Sequence, residues 1–318
     1  MKAFLQNKKA QYGMMATGLL VFALLGLVAD DYWRGVLWNA MFYMLLALGL
    51  NVIVGYTGMC DLGYAAKFAI GAYTTGILMK SFGWNFWLTL PASALVSALA
   101  ALFIGSLSLR LRSDYLAIVT LGFAEIVRIT AVNLDITGSA SGLVSIPRPY
   151  LFGIHLKSIT HWYFVFLALV VIYVLISFRI QHSRFGRALA FIREDEDAAQ
   201  AMGVNTTRYK QYAYMIGAVL GGLAGSFYAV KMTSISPTSF DFTQSANILL
   251  AVILGGMGKI PGVIVGAAFF AIFPELLRLF PGIPFLQNAR MLIFGVLLVV
   301  VMIFRPQGLW PDRLKRRQ

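Results

Sequence analysis

Long apolar runs alternate with short polar breaks along most of the chain. A membrane-spanning helix takes roughly 20 apolar residues. At that length the pattern predicts about ten helices, over 12 to 29, 36 to 55, 64 to 79, 87 to 108, 115 to 133, 162 to 178, 211 to 230, 246 to 257, 262 to 280 and 290 to 304. The third and eighth runs are short and interrupted by glycine. Such segments often mark broken helices that line a pathway, although a misplaced boundary produces the same pattern. The long polar break between apolar runs is 179 to 210, RIQHSRFGRALAFIREDEDAAQAMGVNTTRYK, which is expected to be a water-soluble loop. The expected fold class is an all-α polytopic membrane protein forming a single transmembrane domain over residues 1–318.

Composition decides that the runs are spans rather than a buried core. Of the 318 residues 59% are hydrophobic and 12% charged, with a mean hydropathy of +0.76, outside the range of soluble globular chains. The net charge is +13, and its distribution orients the helices. With the amino terminus inside, 17 lysines and arginines are cytoplasmic, among them Lys2, Lys8, Lys9, Arg110, Arg112, Lys259 and the six of 179–210; seven are external, and Lys67 and Arg128 lie within spans. That bias places both termini and the 179–210 segment in the cytoplasm. Anionic inner-leaflet lipid then accounts for the charge, with no nucleic acid partner. The run at 12 to 29 is longer than a usual signal-peptide core, and Leu27 stands where cleavage after Ala29 would need a small residue, so it is expected to stay as an anchor. The one cysteine, Cys60, rules out an internal disulfide and a multi-cysteine metal site.

Within 179–210, Asp195 can cap a helix over Ala198, Ala199, Gln200, Ala201 and Met202, and Gly203 suits the residue just past its end. A helix of two turns is marginal in water and persists only when packed against something. Its alanine-rich face permits close contact with a partner, while the plainer reading is a solvated connector.

The intramembrane polar residues are few. Gly55, Gly58, Gly63 and Gly71 interrupt GYTGMCDLGYAAKFAIGAY, either for close helix packing or to expose backbone at membrane depth. Asp61 and Lys67 are costly there and usually face a partner or a wet cavity. On a continuous helix their separation places them poorly for pairing, so Lys67 is expected to snorkel to the cytoplasmic interface. Ser113 or Asp114 can cap the fifth helix, on which Glu125 and Arg128 stand i, i+3 and can neutralise each other, for packing or along a pathway. The candidate pathway residues are Asp61, Tyr64, Tyr73, Glu125 and Arg128.

Externally, 134 to 161 is rich in Gly, Ser and Pro and reads as a loop, with PRPYLFGI as an extended or hairpin element. His155 and His161 lack acidic or cysteine neighbours, so no metal site is expected. Thr206 or Thr207 can cap the seventh span, and AVLGGLAGSFYA has the small-residue spacing of close helix packing. Gly255, Gly256, Gly258 and Gly262 with Pro261 end one helix and begin another, in a segment that faintly echoes the one around Asp61. No G-x-x-x-x-G-K-[ST] phosphate loop, H-E-x-x-H or G-x-S-x-G occurs. Passage of a solute, not catalysis, is the expected function.

Seven motifs then stand in a telling order: GYTGMCDLGYAAKFAIGAY, RLRSDYLAIVTLGFAEIVR, TGSASGL, SRFGRALAFIREDEDAAQAMGVN, YKQYAYMIGAVLGGLAGSFYA, ILGGMGKIPGVIVGA and FRPQGL. In that order they resemble the branched-chain amino-acid ABC transporter permeases of the LivM type, over nearly the whole chain. The resemblance implies a type II importer-like permease domain paired with a homologous second permease, two cytoplasmic ABC ATPase subunits and a periplasmic solute-binding protein, in a bacterial inner membrane. It implies no enzyme activity and no cofactor in this chain, ATP and Mg belonging to the ATPases. It also gives 179–210 the role of a coupling loop, with Asp197, Ala198, Ala199 and Gly203 matching its acidic-Ala-Ala-x-x-x-Gly pattern and Arg193, Glu194 and Glu196 beside them. Lys67 departs from the apolar or aromatic residue usual in that motif. Related permeases move other amino acids, urea or short amides. The rival of a different class is an ion-gradient-driven secondary transporter, for which Asp61 would supply the carboxylate.

Overall fold

A computed structural model describes residues 18, 21–109, 113–151, 154–156 and 158–278, with isolated positions at 295, 296, 299, 303, 304 and 308. Residues 21–28 are helical. After them come α1 (Asp31–Leu50), prolonged by a π-helical turn over Asn51–Gly55, then α2 (Tyr64–Ser81), α3 (Phe86–Ser108), α4 (Ser113–Asn133) and α5 (Ile159–His182). These are followed by α6 (Arg184–Glu194), α7 (Glu196–Ala201), α8 (Thr206–Met232), α9 (Phe242–Gly255) and α10 (Ile260–Arg278).

Among the described residues five stretches are long and apolar enough to cross a membrane: Asp31–Gly55, Phe86–Ser108, Tyr115–Asn133, Ile159–His182 and Thr206–Met232. α2, with its lysines, threonines and glycines, is not among them. α9 has 14 residues and is about 21 Å long, shorter than a hydrocarbon core of about 30 Å. The short eighth run is therefore a genuinely short helix. The runs expected at 12 to 29 and 290 to 304 lie partly outside the described residues, and Arg110 and Arg112 lie wholly outside them.

Burial separates an inner set of helices from an outer one. α1 is apolar on all sides, as a helix enclosed by others must be, and 89% of its apolar window is buried against 28% for α4. α2 and α8 pack beside it at backbone distance. A Cβ on Gly71 of α2 would overlap the carbonyl oxygen of Gly222 on α8, and one on Gly225 would overlap that of Phe68. Buried Ser226 of α8 donates to Ser93 Oγ of α3 at 2.8 Å and lies 3.1 Å from the Gly222 carbonyl oxygen, which joins α3 to the same seam. Small residues and interhelical hydroxyls are what let helices associate where no water drives them together.

Between α4 and α5, Tyr150–Leu151 and Ile154–His155 pair as the two antiparallel strands β1 and β2, the hairpin expected in PRPYLFGI. Leu143 and Ile235 form a bridge between the 134–161 loop and the turn after α8. Trp87 Nε1 donates to the Tyr150 carbonyl at 2.9 Å and Trp162 Nε1 to that of Leu156 at 3.0 Å, fixing the loop over the bundle.

The 179–210 segment is not a loop. Arg179 is the continuation of α5 and Lys210 belongs to α8, while the residues between form α6 and α7. α6 arises because Phe185, Leu189 and Ile192 recur at helical spacing, with Leu189 and Ile192 buried. Ser183 caps it, accepting from the Gly186 N–H at 3.0 Å. The cap of α8 is Asn205, which accepts from the Arg208 N–H at 3.1 Å, and not Thr206 or Thr207.

Candidate functional site

α6 and α7 share one residue as their elbow. Asp195 ends α6 and caps α7, its Oδ1 accepting from the Ala198 N–H at 2.9 Å. At the other end Gly203 N–H donates to the Gln200 carbonyl at 2.9 Å and Val204 N–H to that of Ala199 at 3.0 Å. That pair of bonds requires a left-handed residue between helix and exit, and Gly203 supplies it with φ +83°. The short helix expected around Ala198 and Ala199 is thus built as read, with both ends closed.

One face of α7 is held by α8. Glu196 pairs with Lys210 at 2.5 Å, Gln200 Nε2 donates to Thr206 Oγ1 at 2.9 Å, and Ala199 is fully buried. The opposite face is open: Glu194, Asp197 and Gly203 are exposed, and Met202 is 76% exposed. Arg193 is exposed as a whole but sends its Nη1 inward to the Gly55 carbonyl oxygen at 2.6 Å.

The intramembrane candidates separate into three places. Asp61 is fully buried and forms an ion pair with Lys67, itself 3% exposed. Both expectations for this pair are overturned, for one reason: α2 begins only at Tyr64, so Asp61 sits in the preceding turn and not on the helix. Its Oδ1 accepts from the Gly63 N–H at 3.0 Å. Freed from helical geometry, the carboxylate reaches back along α2 to the ammonium. Lys67 Nζ also lies 4.0 Å from the ring centroid of Tyr214 on α8 and 5.4 Å from that of Tyr64, a cation–π contact strengthened by desolvation. Tyr64 donates its hydroxyl to the Gly217 carbonyl at 2.9 Å and is entirely buried.

Tyr73 stands apart, further along α2, its ring centroid 5.6 Å from that of Phe240 and tilted against it by 52°. Glu125 and Arg128 pair on α4 as expected, with Arg128 Nε 3.0 Å from both carboxylate oxygens. Their side chains are 42% and 27% exposed, whereas the Asp61 and Lys67 side chains are buried. Among the described residues no group of His, Cys, Asp and Glu is placed to hold a metal ion.

Two polar positions escaped the sequence reading. Asn51, fully buried, opens the π turn of α1, and its Oδ1 accepts from the Gly258 N–H at 2.8 Å. Tyr214 faces Lys67 from α8. The visible signal for the first was a single asparagine inside the otherwise apolar LLALGLNVIVG; Tyr214 carried none.

The model of the family described as "Branched-chain amino acid transport system / permease component" matches residues 32–302. The chain is 42% identical over 295 residues to the high-affinity branched-chain amino acid transport system permease protein LivM of Salmonella typhimurium, covering 85% of this chain and 68% of that protein. LivM of Escherichia coli K12 is 41% identical over the same shares. The permease protein LivH of Escherichia coli K12 is 25% identical over 297 residues, 84% of this chain and 90% of that one. No solved structure matches. With apolar helices long enough to span a membrane and a match running through most of its length, the chain is a multi-pass membrane protein belonging to the family of branched-chain amino acid transport permease components.

Proposed function

We propose that this chain is one of two membrane-spanning subunits of an ATP-driven importer for branched-chain, hydrophobic amino acids. The observation that carries the reading is the doubly closed helix Glu196–Ala201, packed on α8 by one face and open on the other. So short a helix keeps its shape here because its caps and Lys210 hold it, and its open face is free for a cytoplasmic ATPase. Family membership supports the solute class, and likeness to both LivM and LivH of one organism supports a homologous second permease. Two cytoplasmic ATPases bind and hydrolyse ATP with Mg, a periplasmic binding protein delivers the amino acid, and this chain carries no cofactor. Both termini and α6–α7 face the cytoplasm, as the lysine and arginine bias requires, and the protein works by alternating access in a bacterial inner membrane.

A solute translocating subunit performs no bond chemistry, so its residues bind, orient and move. The ion-gradient alternative needs an intramembrane carboxylate free to exchange protons; Asp61 is instead committed to Lys67, and Glu125 to Arg128.

The deciding experiment is uptake of radiolabelled leucine into proteoliposomes holding this chain with the second permease and the ATPases, ATP inside and binding protein outside. Uptake that needs both establishes the importer. Binding-protein-stimulated ATP hydrolysis with another solute but not leucine changes the substrate alone. Uptake by this chain on an ion gradient overturns the reading.

A further inference from the structure

The importer reading gives the α6–α7 elbow an outward task; what the same segment touches inward is a second matter. Arg193 lies in the last turn of α6, two residues before the Asp195 elbow. Besides the bond from Nη1 to the Gly55 carbonyl, its Cγ lies 3.2 Å from where a Cβ on Gly58 would stand. The same nitrogen fills the space beside Gly258, where a Cβ would come within 2.5 Å of it. Gly258 is tied back to α1 through Asn51 Oδ1 at 2.8 Å and to α5 through Gln181, whose Nε2 donates to the Gly258 carbonyl at 3.4 Å. One cytoplasmic side chain thus joins two glycine turns, 55–58 at the end of α1 and 255–258 at the end of α9.

Both turns have the makings of joints. Gly58, Gly256 and Gly258 have φ of +74°, +107° and +84°, conformations in which glycine moves without steric penalty. The helix before the first turn has already widened into a π turn, a local form of low intrinsic stability often found at working sites. The Gly55 carbonyl is at a helix C-terminus, where acceptors lack intrahelical donors and the dipole is negative. A guanidinium is the donor best matched to such a place, because it is charged, planar and carries several N–H groups at once.

We propose that Arg193 is the positioning residue through which displacement of α7 reaches α1 and α9. This inference rests on the importer reading. Movement of α7 turns the Asp195 elbow and with it the last turn of α6. The Arg193 bond then draws on the end of α1, while withdrawal of the guanidinium from beside Gly258 releases the 255–258 turn. Arg193 accordingly faces the membrane helices and not the ATPase, which divides the coupling segment into an outward-facing α7 and an inward-facing α6.

The test uses the assembled complex with Arg193→Ala and Arg193→Lys. Expected for Arg193→Ala is a loss of about tenfold in leucine moved per ATP hydrolysed, with partial recovery in Arg193→Lys, whose ammonium can still donate to the Gly55 carbonyl. A ratio equal to wild type, or uptake and hydrolysis falling together with the ratio kept, overturns the role. A wild-type complex without ATP-driven uptake overturns the importer reading and takes this role with it, so the two failures are distinguishable. Backbone amide exchange of the purified chain is the second readout. Arg193→Ala is expected to speed exchange in both 51–58 and 255–260; unchanged exchange in those peptides overturns the clamp irrespective of transport.

Discussion

Lys67 and Asp61 form a buried ion pair, the ammonium also resting against the Tyr214 ring at 4.0 Å. An unpaired charge left in such a place is strongly destabilising, whereas removing both charges together is often tolerated. Lys67→Met and Asp61→Asn should each therefore cost about 3 to 5 kcal/mol, and the double variant should lose far less than the sum. Retention of the monodisperse peak on size exclusion after graded heating measures this. Losses that add within about 0.5 kcal/mol would mean the two residues do not act as a pair.

At Gly203 two requirements coincide, a left-handed backbone and free space for a partner. Nothing lies within 4 Å of where its Cβ would be. Gly203→Leu should cost only about 1 to 2 kcal/mol in the isolated chain, from backbone strain. In the complex it should uncouple ATP hydrolysis from leucine uptake while membrane insertion remains intact. Gly203→Asn tolerates the left-handed turn and separates strain from bulk. Normal uptake by Gly203→Leu would refute the docking assignment.

Met202, the residue just past the end of α7, extends its open face with a large apolar side chain. If that face enters a groove on the ATPase, Met202→Glu should weaken retention of the ATPase by about tenfold, or ~1.4 kcal/mol. The stability of the isolated chain should not change, since the residue touches little of it. Co-purification at graded ATPase concentrations gives the affinity, and an unaltered affinity removes Met202 from the interface.

The seam between α8 and α3 admits no side chain at Gly222, where an added Cβ would overlap Ser97 Oγ of α3. Gly222→Leu should prevent close approach of these helices and abolish folded protein, as judged by fluorescence-detected size exclusion. Gly122 of α4 meets nothing within 4 Å, and Gly122→Leu in the same assay should give a normal peak. Equal yields from both would show that the seam does not hold the bundle.

What was legible in the sequence was mostly local. Asp195 and Gly203 announced a helix of six residues because a cap and a left-handed exit act within one turn. Glu125 and Arg128 announced their pairing by spacing alone. The α6 helix was missed because its charged residues outnumber the apolar ones that define its buried side. Lys67 was misjudged because one boundary, at Tyr64, decides whether Asp61 belongs to a helix or to a turn. Arg193 and Gly55 are 138 residues apart, as the bond between them records, and no periodicity connects such positions. The glycine turns at 55–58 and 255–258, noted only as a faint echo, prove to be neighbours.

The serine and glycine seam has a mechanical consequence. With backbones in contact at Gly71, Gly222 and Gly225 and hydroxyls bridging to α3, these helices have no room to slide by a turn or to rotate independently. They form a stiff strut. α8 has 27 residues and reaches about 40 Å from end to end. A tilt imposed on the strut where Lys210 meets Glu196 should therefore be expressed, with its sense reversed, at its far end beside Ile235 and the 134–161 loop. Events at the two ends of α8 become the two ends of a single lever.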